Sequence, residues 1–119
     1  MNIFLIDDSE IDSFISCKLM EAAGIDTPVQ IFSNPVDALE QIKNEQDIDV
    51  LLVDNQMPVM SGLEFFGKYI EKATAKMPVL VLLTATYNRE LAAMAKGIHP
   101  NIHLLEKPLN ADKLKLILP

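Results

Sequence analysis

Cysteine, glycine and long hydrophobic segments are scarce in this sequence, and each shortage excludes a class of protein. The 119 residues include one cysteine, Cys17, so an internal disulfide is impossible and we expect a reducing compartment. The four glycines form no glycine-rich strand-to-helix turn, which excludes P-loop and dinucleotide-binding fingerprints. The longest apolar run, residues 79–83, is far shorter than the roughly 20 residues that span a bilayer.

Basic residues are also few, and their shortage bears on binding partners. Ten Lys and Arg against 17 Asp and Glu give a net charge of −7, so we expect no direct binding to nucleic acid and no membrane insertion. Residues 1–7 contain no basic segment ahead of their short apolar run, so we expect no signal peptide. We therefore expect a cytoplasmic protein whose length fits a single domain over residues 1–119.

Short aliphatic runs alternate with longer amphipathic stretches along the chain. Runs of four or five residues without polar alternation are typical of strands that are covered on both faces. These runs occupy residues 3–6, 29–32, 50–53, 79–83 and 102–105. Their alternation with helical stretches predicts a doubly wound α/β fold, in which helices cover both faces of a five-stranded parallel sheet.

Apolar side chains at helical spacing predict five helices, and such a stripe is typically the face that packs on the core. The first helix is predicted to begin at the N-cap Ser9 and to end at Gly24. Its stripe contains Ile11, Phe14, Ile15, Leu19 and Ala22, and that of the third helix contains Leu63, Phe66, Tyr69, Ile70 and Ala73. The second helix is predicted to begin at Asn34-Pro35. The fourth is predicted to end before Gly97, and the fifth to follow the cap Asn110 over residues 111–118.

Polar residues follow four of the five predicted strands, at the point where each strand ends. Sheets of this type bind ligands outside the carboxyl ends of their strands. We therefore expect these side chains to converge at one edge of the sheet. They are, in chain order, Asp7 and Asp8, Asp54, Thr84, and Lys107 with Pro108, which restricts the lysine's backbone.

Three carboxylates at one edge repel one another. One pair at ~4 Å costs about 4 kcal/mol at an effective dielectric constant near 20. A divalent cation removes this cost, and oxygen ligands favour Mg²⁺. Taken singly, the residues have ordinary explanations: acidic residues complement helix N-termini, a threonine after a strand is a turn residue, and a lysine is solvated. Their joint occurrence at strand ends favours a shared site.

The residues at the strand ends resemble the motifs of a response-regulator receiver domain, and the likeness covers essentially the whole chain. The segments that carry it are Asp7-Asp8, residues 54–62 (DNQMPVMSG), Thr84-Ala85 and Lys107-Pro108. The second segment is the most specific, because an Asp followed by Met-Pro and then Gly at this spacing is characteristic of receivers. The resemblance implies a flavodoxin-like (βα)5 fold with strand order 2-1-3-4-5.

By that resemblance, Asp54 is the phosphoacceptor, which takes a phosphoryl group from a phosphohistidine to give an aspartyl phosphate. Asp8, Asp7, Asp54 and the backbone carbonyl of Gln56 would hold Mg²⁺. The resemblance also implies that Lys107 pairs with a phosphoryl oxygen. The Thr84 hydroxyl and the Ala85 backbone N–H would donate hydrogen bonds to the phosphoryl group. Gln56 and Thr86 would lie beside the hydrolytic water.

The sequence departs from the family pattern at Leu104. Receivers commonly carry Tyr or Phe three residues before the active-site lysine, where it acts as a rotamer switch coupled to the threonine. Here that position is Leu104, so the usual coupling is in doubt. Tyr87, in the segment after Thr84, is a candidate to take over the role.

The resemblance also implies partners: a sensor histidine kinase or histidine phosphotransfer protein as donor, and an unknown downstream protein. We expect no enzymatic activity beyond self-phosphorylation and autodephosphorylation. A receiver segment of a larger hybrid kinase or regulator is an alternative. A haloacid-dehalogenase-type phosphatase is a weaker one, because it needs an Asp where this chain has Gln56. A scaffold with an inactive site is disfavoured by the intact acidic residues.

Overall fold

A five-stranded parallel sheet forms the centre of the computed structural model, which describes residues 1–43, 47–72 and 76–118. The strands run in the order β2-β1-β3-β4-β5. Their bounds are Ile3–Ile6 (β1), Val29–Phe32 (β2), Val50–Asp54 (β3), Val79–Thr84 (β4) and Ile102–Glu106 (β5). The predicted fold class and strand order are therefore confirmed. The last three strands each extend one residue further than predicted, so Asp54 and Thr84 end strands rather than follow them.

Each helix follows a strand and begins near a polar cap. The helices are Glu10–Ala22 (α1), Pro35–Ile42 (α2), Gly62–Lys72 (α3), Arg89–Ile98 (α4) and Ala111–Lys115 (α5). Ser9, Asn34 and Asn110 accept backbone N–H groups of the first turns, as predicted, and Asn88 caps α4 in the same way. The last helix ends three residues earlier than predicted, at Lys115. In the part of the chain that the structure describes, no helix is both long and apolar enough to cross a membrane.

Two hydrophobic layers cover the sheet. One layer packs α2, α3 and α4 on one face and contains the buried aromatic residues Phe65, Phe66 and Tyr69. The other packs α1 and α5 on the opposite face and is aliphatic, with Met20 and Leu114 as helix contributions. Since all five residues of β3 are buried, this strand lies at the centre of both layers.

Most of the apolar stripe of α1 does not face the sheet, so that prediction is wrong except at Leu19, which packs against the aliphatic layer. Ile11, Phe14 and Ile15 are 73%, 62% and 46% exposed. The buried side chains of α1 are instead Ser13, Ser16 and Met20. The helix is therefore rotated so that two serines, rather than most of the apolar stripe, face inward.

The stripe of α3 faces the core as predicted. Phe66 and Tyr69 are buried, and Leu63 and Ile70 pack against them. The stripe's last predicted member, Ala73, lies outside the described residues. Phe65 is also completely buried and stacks on Tyr69 with ring centroids 6.4 Å apart.

Candidate functional site

Three carboxylates meet at the carboxyl edge of the sheet, as the sequence predicts. Asp7, Asp8 and Asp54 each offer an oxygen within 4.8 Å of the others. Asp54 is the last residue of β3, and the backbone N–H of Asp7 donates to Phe32 O on β2 at 3.0 Å. Asp7 and Asp54 are buried, whereas Asp8 is exposed. These side-chain donors are all carboxylate oxygens, a set that fits Mg²⁺.

Lys107 supplies a cation to these carboxylates. Its Nζ lies 3.2 Å from Asp7 Oδ2 and 3.2 Å from Asp54 Oδ1. The predicted convergence of Lys107 with the acidic residues is thus confirmed. The bond from Lys107 to Pro108 is a cis peptide. Since Lys107 follows β5 directly, the cluster joins three strands, two of which are separated by β4.

A further carboxylate, Asp12, also contacts the lysine, at 3.4 Å between Oδ2 and Nζ. Sequence reasoning missed it because Asp12 lies in the first turn of α1 rather than at a strand end. The signal that was available is its position four residues after Asp8. We call Asp7, Asp8, Asp12, Asp54 and Lys107 the acid–lysine cluster.

Burial and neighbouring charges together shift the pKa values of Asp54 and Lys107. Burial raises the pKa of Asp54; the charge of Lys107 lowers it and that of Asp7 raises it, and the net shift is upward. Burial lowers the pKa of Lys107, but the charges of Asp54 and Asp7 outweigh burial, so its net shift is also upward. Lys107 therefore offsets the burial of Asp54 only in part, which favours a divalent cation beside Asp54.

Thr84 lies beside the cluster but its hydroxyl bonds elsewhere. Thr84 is 5% exposed, and its Oγ1 donates to Thr86 O at 3.0 Å and accepts from Thr86 N at 3.3 Å. The N–H of Tyr87 donates to Glu106 Oε1 on β5 at 3.0 Å. We call residues 84–88 the Thr84 loop. The Thr84 hydroxyl is therefore held by Thr86 within the loop, and Glu106 on β5 holds the Tyr87 end of the loop.

The remaining predicted site residues lie around this loop. Gln56, Ala85 and Thr86 are exposed and line one open cavity of about 370 Å³ with Thr84. Tyr87, 51% exposed, lines a second cavity of about 240 Å³ together with Leu104. The two residues considered for the switch are therefore neighbours on this surface.

Gly62 gives the segment after Asp54 its shape. A Cβ at this position would lie 2.5 Å from Leu82 Cδ1 and 2.8 Å from the backbone oxygen of Asp54. The backbone N–H of Gly62 donates to Asn55 O at 3.0 Å, which closes the turn between β3 and α3. The glycine at this spacing thus has a packing reason: no side chain fits between the end of β3 and the Leu82 side chain.

Comparisons with known proteins show the family of the chain and agree with its fold. The response regulator receiver domain model matches residues 3–118. The chain is 27% identical over 117 residues to the chemotaxis protein CheY homolog of Campylobacter jejuni, covering 97% of this chain and 87% of that protein. It is also 27% identical over 122 residues to hybrid signal transduction histidine kinase G of Dictyostelium discoideum, covering 99% of this chain. The chain spans only 3% to 8% of the length of that kinase and two similar hybrid kinases.

Two solved structures share the whole fold. A response regulator receiver protein from Dyadobacter fermentans is 28% identical with a TM-score of 0.81, covering 98% of this chain and 93% of that one. Chemotaxis protein CheY4 of Vibrio cholerae is 25% identical with a TM-score of 0.79, covering 98% of both chains. The chain therefore belongs to the response regulator receiver domain family of two-component signalling, whose standard function is phosphorylation at an Asp.

Proposed function

We propose that this chain, as a single receiver domain over residues 1–119, accepts a phosphoryl group on Asp54 from a phosphohistidine. The donor is a sensor histidine kinase or a histidine phosphotransfer protein. The observation that carries the proposal is the position of Asp54: a nearly buried carboxylate at the open edge of the sheet, 3.2 Å from Lys107 Nζ. A carboxylate held beside a cation is suited to act as a nucleophile toward an anionic phosphoryl group.

The step balances without another reactant. A carboxylate oxygen of Asp54 forms the new bond to phosphorus while the phosphorus–nitrogen bond breaks, and its electron pair stays on the imidazole nitrogen. Lys107 remains protonated, since the acidic neighbours raise its pKa, and it pairs with a phosphoryl oxygen. Its charge stabilises the negative charge of the transferred group.

Receiver domains bind Mg²⁺ through acidic residues, and we propose the ligands here. Asp7, Asp8 and Asp54, whose oxygens meet at the sheet edge, would hold the ion together with the backbone carbonyl of Gln56. Bound there, Mg²⁺ would neutralise charge on the phosphoryl oxygens. Asp8 is exposed and Asp7 pairs with Lys107, so Asp8 is the ligand that gives up least on binding the ion.

The Thr84 loop is the part of the site that would change its hydrogen bonds on phosphorylation. The hydroxyl of Thr84, now bonded to Thr86 O, would turn to a phosphoryl oxygen, and the backbone N–H of Ala85 would add a second donor. Thr86 and Gln56 lie on the cavity beside Thr84, where they would flank the hydrolytic water and set the lifetime of the phosphoryl group. Loss of the bond between Thr84 and Thr86 would free the loop for a partner.

Receiver domains are typically signalling modules rather than enzymes, and we propose that this one signals to a downstream protein in the cytoplasm. Two settings are open to it: a stand-alone regulator, like the CheY homolog, of which the match covers 87%, or a segment of a hybrid kinase, of which the match covers 3%. The mass of the native gene product separates the two settings.

Incubation with acetyl phosphate and Mg²⁺, followed by intact-mass analysis, tests the proposal. Wild-type protein should gain one phosphoryl group, and Asp54→Asn should gain none. Asp26→Asn, which makes the same change at an exposed position, is the matched control and should gain the group as wild type does. Absence of an adduct on wild type, from acetyl phosphate and from every histidine kinase tried, overturns the proposal.

A further inference from the structure

The ammonium of Lys107 has a third carboxylate partner that lies outside the acidic triad at the strand ends. Asp12 Oδ2 is 3.4 Å from Nζ, compared with 3.2 Å for both Asp7 and Asp54. An ammonium group has three N–H donors, so the three carboxylates can occupy all of them. The side chain of Asp12 is 48% exposed, whereas those of Asp7 and Asp54 are 0% and 10% exposed.

The start of α1 fixes Asp12 in this position. Ser9 caps the helix by accepting the N–H of Asp12 at 3.2 Å, and the N–H of Ser9 donates to Asp7 Oδ1 at 3.0 Å. The same short segment therefore joins Asp12 to the acidic end of β1. On the outer side, Asp12 and Lys107 line an open groove of about 320 Å³ between α1 and the segment after β5.

Lys107 and a divalent cation require the same two carboxylates. Asp7 and Asp54 pair with Lys107, and both also belong to the triad that could hold a metal. Asp12 belongs to the first set but not to the second. A carboxylate that attracts Lys107 without binding the metal weakens the lysine's hold on the metal's ligands.

We propose that Asp12 is a positioning residue that draws the Lys107 ammonium toward α1 and thereby leaves Asp7 and Asp54 available to Mg²⁺. The inference rests on the proposed function, because it concerns the same acceptor site. Without the Asp12 charge, Lys107 pairs more tightly with the two buried carboxylates, and a metal ion has to displace it from them. Asp12 thus acts on Mg²⁺ affinity through Lys107 without touching the ion.

Calorimetric titration of the full chain with Mg²⁺ at physiological ionic strength tests the inference. Asp12→Asn should raise the Kd for Mg²⁺ about tenfold, as is typical when a residue that orients a metal ligand is lost. The matched control is Glu10→Gln, which removes the same charge from an exposed position on the same helical turn. Because screening weakens the field of exposed charges, the control should change the Kd by about twofold or less.

A direct readout on Lys107 separates positioning from a structural effect. In metal-free protein, the ¹⁵N resonance of the Lys107 ammonium should shift in Asp12→Asn and stay in place in Glu10→Gln. Asp12→Glu keeps the charge and should recover most of the Mg²⁺ affinity. Unchanged thermal unfolding midpoints in all three variants establish that the fold is intact.

Equal Mg²⁺ affinities of Asp12→Asn and Glu10→Gln would overturn the inference, as would a Lys107 resonance that ignores the loss of Asp12. At saturating Mg²⁺, Asp12→Asn should still accept a phosphoryl group on Asp54 from acetyl phosphate. If wild type accepts none, the proposed function fails, whereas the comparison of Mg²⁺ affinities still decides the role of Asp12.

Discussion

The acid–lysine cluster and the Thr84 loop lie side by side at the sheet edge, yet only the first is assembled for its proposed role. Lys107 already contacts Asp54, whereas the hydroxyl of Thr84 bonds to Thr86 within its own loop. Buried charges are costly unless they are paired, so the cluster must form on folding. A neutral hydroxyl exchanges one hydrogen bond for another at small net cost. Charge pairing therefore fixes the acid–lysine cluster on folding, whereas the Thr84 loop can rearrange when a phosphoryl group is present.

Replacing Lys107 is expected to change the stability of the protein more than any other substitution in the cluster or the loop. Lys107→Ala leaves the buried Asp7 and Asp54 without their cation and should lower the free energy of unfolding by about 3 kcal/mol. Urea unfolding at pH 7 in a chelator measures the loss. Lys18→Ala, which breaks an exposed ion pair with Glu21, should stay within about 0.5 kcal/mol. Similar losses in the two variants would show that the cluster is not held by charge.

Asp54→Asn should change stability in the opposite direction and by a smaller amount. The folded state raises the pKa of Asp54, first through burial, so the folded protein binds the proton more tightly than the unfolded chain does. Stability therefore falls as pH rises from the unfolded pKa through the folded pKa. The amide cannot ionise, so the variant should be more stable than metal-free wild type at pH 7 and gain nothing in acid. Thermal unfolding across this pH range decides the sign, and an advantage that grows in acid would contradict it.

Thr84→Ala should lower the free energy of unfolding, but by less than Lys107→Ala does. It removes two hydrogen bonds to Thr86, worth about 1 kcal/mol of unfolding free energy, and leaves Asp54 able to accept a phosphoryl group. The amide resonances of Thr86 and Tyr87 should no longer move on phosphorylation, whereas they should move in Thr84→Ser. A complete loss of the phosphoryl adduct in Thr84→Ala would show that the acid–lysine cluster cannot accept the group without the Thr84 loop.

Glu106→Gln should have the smallest effect. The side chain still offers an oxygen to the N–H of Tyr87, but the hydrogen bond is no longer assisted by charge. We expect about 0.5 kcal/mol of local stability to be lost, which is roughly a twofold faster amide exchange at Tyr87. Hydrogen-exchange NMR measures this rate, and unchanged exchange would show that Glu106 does not hold the loop.

The sheet and the cluster were predictable because their signals are local. Each strand coincides with a short, mainly apolar run, and polar residues at or just after the ends of four of the five runs mark the site edge. The face that α1 buries was not predictable, since spacing identifies an apolar stripe but not the elements that cover it. Phe14 and Phe66 both sit in apolar stripes at helical spacing, and of the two only Phe66 is buried. Asp12 was missed for a related reason: its partner Lys107 is 95 residues away in the sequence.

Gly62 has a consequence for how far this protein can be changed. A Cβ added at Gly67, in the same helix, would have nothing within 4 Å, whereas at Gly62 that carbon would meet Leu82 and the backbone of Asp54. Alanine at position 67 should stabilise α3 by up to about 1 kcal/mol. The same methyl group at position 62 would displace the acceptor strand or the core beneath it. The two glycines are little more than one helical turn apart. A methyl group is nevertheless expected to stabilise the helix at position 67 and to disrupt the packing beside Asp54 at position 62.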